Sequence, residues 1–208
     1  MLDTDIVRGC YLNMQRAETF AQMPDAVNWT FASGDMATLG TAKKYVDNWD
    51  AAYANGTGLM MFGDVRTGKT YAAACIANAL IDRGASVMIT TAPGIVASLS
   101  GCKSDGWHSY LQQVANADLL IIDDLGAERC TDYAQERIYV AVDQRVATGK
   151  PMLVTTNIPP ALMREITDMR LQRIYARILS VCLPVYYNGN YGSYAADSLD
   201  TFAKGLLT

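Results

Sequence analysis

An α/β fold built on a mainly parallel sheet is what this sequence predicts, and three observations predict it. Short, continuously apolar runs alternate with longer helical stretches, a glycine-bearing loop joins the first such run to a helix, and a later run ends in two carboxylates. Strands that are apolar throughout and separated by helices belong to a sheet covered on both faces, because the crossover helices bury both sides. The strand-length runs are Leu59–Phe62, Ser86–Thr91, Leu119–Asp123, Met152–Thr156 and Leu183–Tyr187. The helical stretches between them are Lys69–Arg83, Trp107–Ala115, Asp132–Thr148 and Asp168–Val181. Ahead of the alternation, residues 36–56 carry apolar positions at helical spacing and stop at Asn55–Gly56, a helix C-terminus signal. The first 36 residues lack strong periodicity and contain the turn-like pieces MPD and ASGD, which predicts a lead-in with one short helix around Leu12–Gln22. The expected organisation is therefore a lead-in over 1–36 and one domain with a short C-terminal tail over 37–208.

Composition narrows the class. A chain of 208 residues is long enough for one well-cored domain and a short appendage. Half of it is hydrophobic and 18% is charged, which excludes broad disorder. No window reaches the roughly 18 uninterrupted apolar residues of a membrane span, and the opening MLDTDIVRGC lacks the basic-then-apolar order of a secretion signal. The five cysteines are far apart with no CxxC pair, and Cys75 and Cys182 fall in apolar stretches as small core residues. A single histidine argues against a zinc site, and the cysteine usage points to a reducing compartment, the cytoplasm. A net charge of −4 argues against a simple nucleic-acid module with a basic stripe, although an oligomer can gather a few cations on one surface.

The run Gly63-Asp64-Val65-Arg66-Thr67-Gly68-Lys69-Thr70 fits the pattern GxxxxGK[ST], and it lies between a strand and a helix, where such a loop works. Backbone N–H groups of the loop and the positive end of the helix dipole converge there on phosphate. Lys69 neutralises the β- and γ-phosphates of ATP, and the Thr70 hydroxyl is a ligand for Mg²⁺. The competing reading is a glycine-rich turn with a solvated lysine. Arg66 is unusual in such a loop, because a position that needs positive φ disfavours any residue with a β-carbon, by about 1 kcal/mol. Its guanidinium either reaches phosphate, pairs with Asp64, or is solvated on the loop's outer side.

Leu119–Asp124 is an apolar strand ending in two acids. A carboxylate on a strand neighbouring the phosphate loop holds the Mg²⁺ shell, which is the role expected of Asp123. Asp124 is placed to polarise an attacking water, with Glu128 as a second candidate; the plain alternative is that Asp124 caps the next segment. Pro151–Asn157 is a further apolar strand with a polar end, and Asn157 can donate to the γ-phosphate or orient water. An ordinary turn before Pro159-Pro160 is the other reading.

These signals, in this order, resemble the AAA+ ATPases of the DnaC/IstB type over about Ala37–Val185. The carrying segments are Gly63–Gly84, Leu119–Arg129, Pro151–Asn157 and Gln172–Val185. In that family the first three are Walker A, Walker B and sensor 1, and the fourth holds an arginine finger that completes a neighbouring subunit's site. The resemblance assigns the finger to Arg177, with Arg173 one helical turn earlier as the fallback; a surface arginine paired with a nearby acid is the alternative. It implies a five-stranded, three-layer ASCE-type P-loop fold and self-association through the ATP site. It further implies the loading of a hexameric replicative helicase onto single-stranded DNA, or, in the IstB branch, assistance to a transposase.

The sequence departs from the family in Arg66, in the absence of Lys or Arg over Asn188–Ala196, and in a front too short and cysteine-poor for a zinc segment. A non-hydrolysing ATP-binding adaptor is thus a third reading. A small-molecule kinase is a weaker fourth, since the arginine-rich lid of kinases is missing. DNA contact in the family falls between the second strand and Walker B, which here offers Lys103, Trp107, His108 and Tyr110. Trp107 and Tyr110, three residues apart, serve equally as the buried face of a helix, and core packing is expected for Trp107.

Overall fold

The computed structural model describes residues 4–32, 36–100, 104–126 and 131–188. Five strands, β1 (Gly58–Phe62), β2 (Val87–Thr91), β3 (Leu119–Asp123), β4 (Met152–Thr156) and β5 (Cys182–Tyr186), form one sheet in the order β2-β3-β4-β1-β5. Every pairing is parallel. The order brings the ends of β1, β3 and β4 side by side, so the phosphate loop, the acidic strand end and the polar strand end share one rim of the sheet.

Alternation along each strand sorts the side chains into two cores. Leu59, Met61, Leu119, Ile121 and Leu153 face α1 (Thr4–Thr19), α2 (Met36–Asp47), α3 (Trp49–Ala54) and α4 (Lys69–Asp82). Met60, Leu120, Ile122, Met152 and Val154 face α5 (Ala92–Ser100), α6 (Ser104–Asn116), α7 (Asp132–Ala147), α8 (Pro160–Glu165) and α9 (Met169–Val181). Three layers result, with the sheet in the middle. All of these strand residues are fully buried, so truncating any of the leucines to alanine costs about 2–5 kcal/mol.

The sequence-predicted strands match to within a residue at each end, and the differences lie in the helices. The single helix expected over 36–56 is two helices, broken at Asn48, whose side chain donates to the Lys44 carbonyl at 2.9 Å. Trp49 then turns inward against Tyr45, with ring centroids 6.0 Å apart. The short helix expected around Leu12–Gln22 begins eight residues earlier and ends at Thr19, giving 16 residues. It is tied to α4 by Arg16, which pairs with Asp82 and donates to Asn78 Oδ1 at 3.2 Å. Residues Pro24–Asn28 form a 3₁₀ turn, and Asn78, buried in α4, donates to the carbonyls of Ala26 (3.0 Å) and Trp29 (2.9 Å). Residues 20–31 are thereby laid across α4 toward the phosphate loop. Helices α5 and α8 were not expected, because each begins beside proline. No helix among the described residues is long and apolar enough to cross a membrane.

Candidate nucleotide site

The phosphate loop has the shape its glycines permit. Gly63 follows β1 with φ of 143°, and a β-carbon there would lie 1.9 Å from the Tyr187 carbonyl oxygen, so the residue after β5 closes on the loop only because Gly63 has none. The Tyr187 N–H donates to the Phe62 carbonyl at 2.7 Å and fixes that approach. Gly68, at φ of 92°, is the N-cap of α4 and turns the backbone so that the helix N-terminus faces the loop's hollow. Arg66 has φ of 63°, the left-handed conformation that costs a residue with a β-carbon about 1 kcal/mol.

Lys69 is 7% exposed. Its ammonium donates to the carbonyls of Gly63 (2.8 Å) and Asp64 (2.6 Å), which holds the charge on the inner side of the loop. Burial pulls its pKa below the ordinary lysine value, against the upward pull of Asp124, Asp123 and Asp64. A cation desolvated beside carboxylates is suited to take an anionic ligand.

Beside it lies a hydrogen-bonded chain. The Thr70 hydroxyl donates to the Asp123 carboxylate, 3.0 Å from Oδ1 and 3.2 Å from Oδ2. The Thr155 hydroxyl donates to Asp123 Oδ1 at 2.6 Å and accepts the Asp124 N–H at 2.8 Å. The Thr155 carbonyl accepts the Leu125 N–H at 2.8 Å. Thr155 therefore aims Asp123 and also pins the turn after β3, where Asp124 is held at φ of 54°. The paired hydroxyl and carboxylate of Thr70 and Asp123 are hard oxygen donors of the type Mg²⁺ takes when phosphates and water complete its shell.

A cavity of about 390 Å³ opens on these groups, within the usual range for a small-molecule site of roughly 300–1,000 Å³. Val65 to Thr70, Asp123, Asp124, Thr155 and Asn157 line it, so most of the predicted site residues meet in one place. Gly63 and Asp64 lie at the loop's start and touch the site through the carbonyls that hold Lys69. Glu128 lies outside the described residues, as do Lys103 and residues 189–196.

Arg177 and Arg173 do not line this cavity. Both are on α9, where Arg177 pairs with Asp143 of α7 at 2.9 Å. Arg173 donates to the Tyr139 hydroxyl at 3.0 Å and lies over its ring. In this single chain the surface ion pair, named above as the alternative for Arg177, is the observed arrangement. Two of the DNA candidates, Trp107 and Tyr110, are also engaged. The face of Trp107 is covered by the Arg137 guanidinium, 4.1 Å from the ring centroid, and the half-buried ring packs into the second core, as expected. Tyr110 shares a hydrogen bond of 3.1 Å with Thr90, and His108 is exposed.

Three cavity residues, Thr155, Trp29 and Tyr71, escaped the sequence reading. Thr155 stood inside a strand whose end drew attention to Asn157. Trp29 was hidden in the aperiodic lead-in, yet it lines the cavity and packs on Tyr71 of α4, ring centroids 5.2 Å apart. An aromatic near the phosphate loop offers a flat apolar face for a base.

Comparison with known proteins accords with this geometry. The chain is 31% identical over 148 residues to the replicative helicase loader DnaC of Escherichia coli K12, covering 70% of this chain and 58% of that protein. It is 28% identical over 145 residues to the replicative helicase loader DnaI of Bacillus subtilis, covering 64% of this chain and 47% of the relative. The chain thus spans only about half the length of these relatives. A crystal structure of DnaI superposes with a TM-score of 0.66 at 23% identity, covering 78% of this chain and 93% of that one, which shows a shared fold. The model of the IstB-like ATP binding proteins matches residues 19–191, and the chain belongs to that family, as an AAA+ protein of the DnaC/IstB type.

Proposed function

We propose that this chain binds Mg-ATP on Gly63–Thr70, hydrolyses it when self-associated, and acts in the cytoplasm to help load a replicative helicase onto single-stranded DNA during replication. The observation that carries the reading is the chain Thr70–Asp123–Thr155, joined at 3.0 and 2.6 Å beside the buried ammonium of Lys69. In this reading the loop N–H groups and Lys69 hold the β- and γ-phosphates, and Trp29 with Tyr71 offers the base a face to stack on. Thr70 and Asp123 hold Mg²⁺, which when bound supplies charge neutralisation to the phosphate oxygens. Asp124 accepts a hydrogen bond from water and directs it at the terminal phosphorus, with Glu128 as the second candidate for that role. Asn157 reports whether the third phosphate is present. The partner roles follow the names of the helicase loaders to which the chain is similar.

Arg177 serves a neighbouring copy in this scheme. It must exchange Asp143 for the phosphate of the next subunit, a modest cost because both side chains are partly exposed. The same pairing favours a second reading, an ATP-binding adaptor that does not turn over. ATP hydrolysis measured against protein concentration, with and without single-stranded DNA, separates the two. The motor gives turnover per subunit that rises with concentration and is lost in Lys69→Ala and Arg177→Ala. Tight Mg-ATP binding with no turnover at any concentration would leave the adaptor.

A further inference from the structure

Arg66 is the one loop side chain whose own backbone works against it. Its φ of 63° is a conformation in which glycine is relaxed and any larger residue is strained. Strain of this kind persists where the surroundings or a ligand make use of it. Yet no side-chain partner among the described residues holds Arg66 in place, in contrast to Arg173 and Arg177, each of which has one. The residue is exposed, and it lines the same cavity as Lys69, Thr70, Asp123 and Asn157.

Charge gives the strained residue a purpose. Lys69 feels three carboxylates, Asp124, Asp123 and Asp64, so the surroundings of the phosphate loop hold more negative than positive charge. A polyphosphate arriving there, even with magnesium, adds more. With Arg66 the balance of two cations against three carboxylates leaves one net negative charge; without it, two remain. A guanidinium is the group best suited to restore that balance, because its planar fork meets phosphate oxygens two at a time.

We propose that Arg66 is a second phosphate-binding cation of the loop, folding over the polyphosphate of the bound nucleotide. The proposal rests on the Mg-ATP reading above and adds to it a residue that a glycine-rich loop does not supply. It makes two demands that pull in opposite directions. Replacing Arg66 with glycine removes strain and must stabilise the free protein, while removing the cation must weaken nucleotide binding. A solvated arginine on the loop's outer side would meet the first demand and not the second.

The test is calorimetric titration of Mg-ATP into the wild type, Arg66→Gly and Arg66→Lys, with melting of each free protein alongside. Arg66→Gly is expected to melt roughly 3 °C higher than the wild type and to bind Mg-ATP about tenfold more weakly. Arg66→Lys, which keeps the charge and the strain but not the fork, is expected to fall between the two in affinity with no gain in melting temperature. Equal Mg-ATP affinity in the wild type and Arg66→Gly would overturn the proposal and leave the nucleotide-site reading standing. No Mg-ATP binding by the wild type would overturn both.

Discussion

Lys69 and Arg145 are buried cations at opposite ends of the same sheet, and both are solvated by backbone carbonyls. Arg145, fully buried in α7, donates to Val114 (3.0 Å), Ala117 (2.6 Å), Asp118 (2.9 Å) and Pro151 (2.5 Å). These carbonyls end α6 and precede β3 and β4, so one guanidinium gathers acceptors from a helix C-terminus and two strand starts. Burial lowers its pKa to about 10, against the upward pull of Asp118 first. Lys69, at the carboxyl ends of the strands, has two close carbonyls and opens on a cavity lined by carboxylates. A cation whose donors are all used by the fold is structural, and one set in a strained loop facing a cavity is available to a ligand. Burial alone does not distinguish them. Arg145 is ringed by carbonyls on every side, whereas the third contact of Lys69, to the Thr67 hydroxyl, is long at 3.4 Å and the ammonium borders an open cavity.

Substitutions should separate the two ends. The largest effect is expected from Arg145→Met, which fills the space but strands several buried carbonyls. Unfolding in urea should show a loss of about 3–5 kcal/mol, while the fraction that stays folded keeps its Mg-ATP affinity. Lys69→Ala should do the reverse, weakening Mg-ATP by about a hundredfold or more while shifting the melting temperature of the free protein only slightly. Thr155→Val tests the link between them. It keeps the shape of β4 but frees Asp123 and the turn at Asp124, and the expected result is turnover reduced about tenfold with nearly unchanged Mg-ATP binding.

A pH experiment sharpens the structural end. Burial of Asp118 raises its carboxyl, but the Ser86 N–H and hydroxyl, the Tyr53 hydroxyl and Lys150 outweigh it, and the net pKa lies below the ordinary 3.8. A carboxyl depressed in the folded state stabilises fully above its unfolded value and loses that contribution as pH falls through the folded one. Asp118→Asn should therefore cost about 1 kcal/mol at neutral pH, a small figure because the group is partly exposed. The gap to the wild type should narrow in acid unfolding as pH falls below 3.8. Lys69 carries the same sign in an alkaline window. With its folded pKa lowered, the free protein gains stability as pH rises from the folded value toward 10.5, and Lys69→Ala should abolish that gain.

The same contrast explains what could be read from the sequence. The strands and the phosphate loop were legible because apolar runs and the GxxxxGK[ST] pattern are local, and Asp123 was legible because it ends such a run. Arg145 was not, since its partners lie 6 to 31 residues away and nothing in DQRVATG signals them. Thr155 looked like any β-branched strand residue, and its role appears only when β3 and β4 lie side by side. Trp29 is placed by Asn78, 49 residues later, a contact no periodicity announces. Helix α5 carries Pro93 and Gly94, both poor formers of a helix interior, yet proline fits the first turn of a helix, where its missing N–H has no partner to lose.

The central claim, that Lys69 is a ligand-binding cation and Arg145 a structural one, is tested most directly by titrating Mg-ATP into the wild type and Lys69→Ala while melting both free proteins. The expected result is saturable binding by the wild type, none measurable in the variant, and closely similar melting temperatures. Equal binding by both proteins, or a Lys69→Ala protein that has lost its fold, would contradict it.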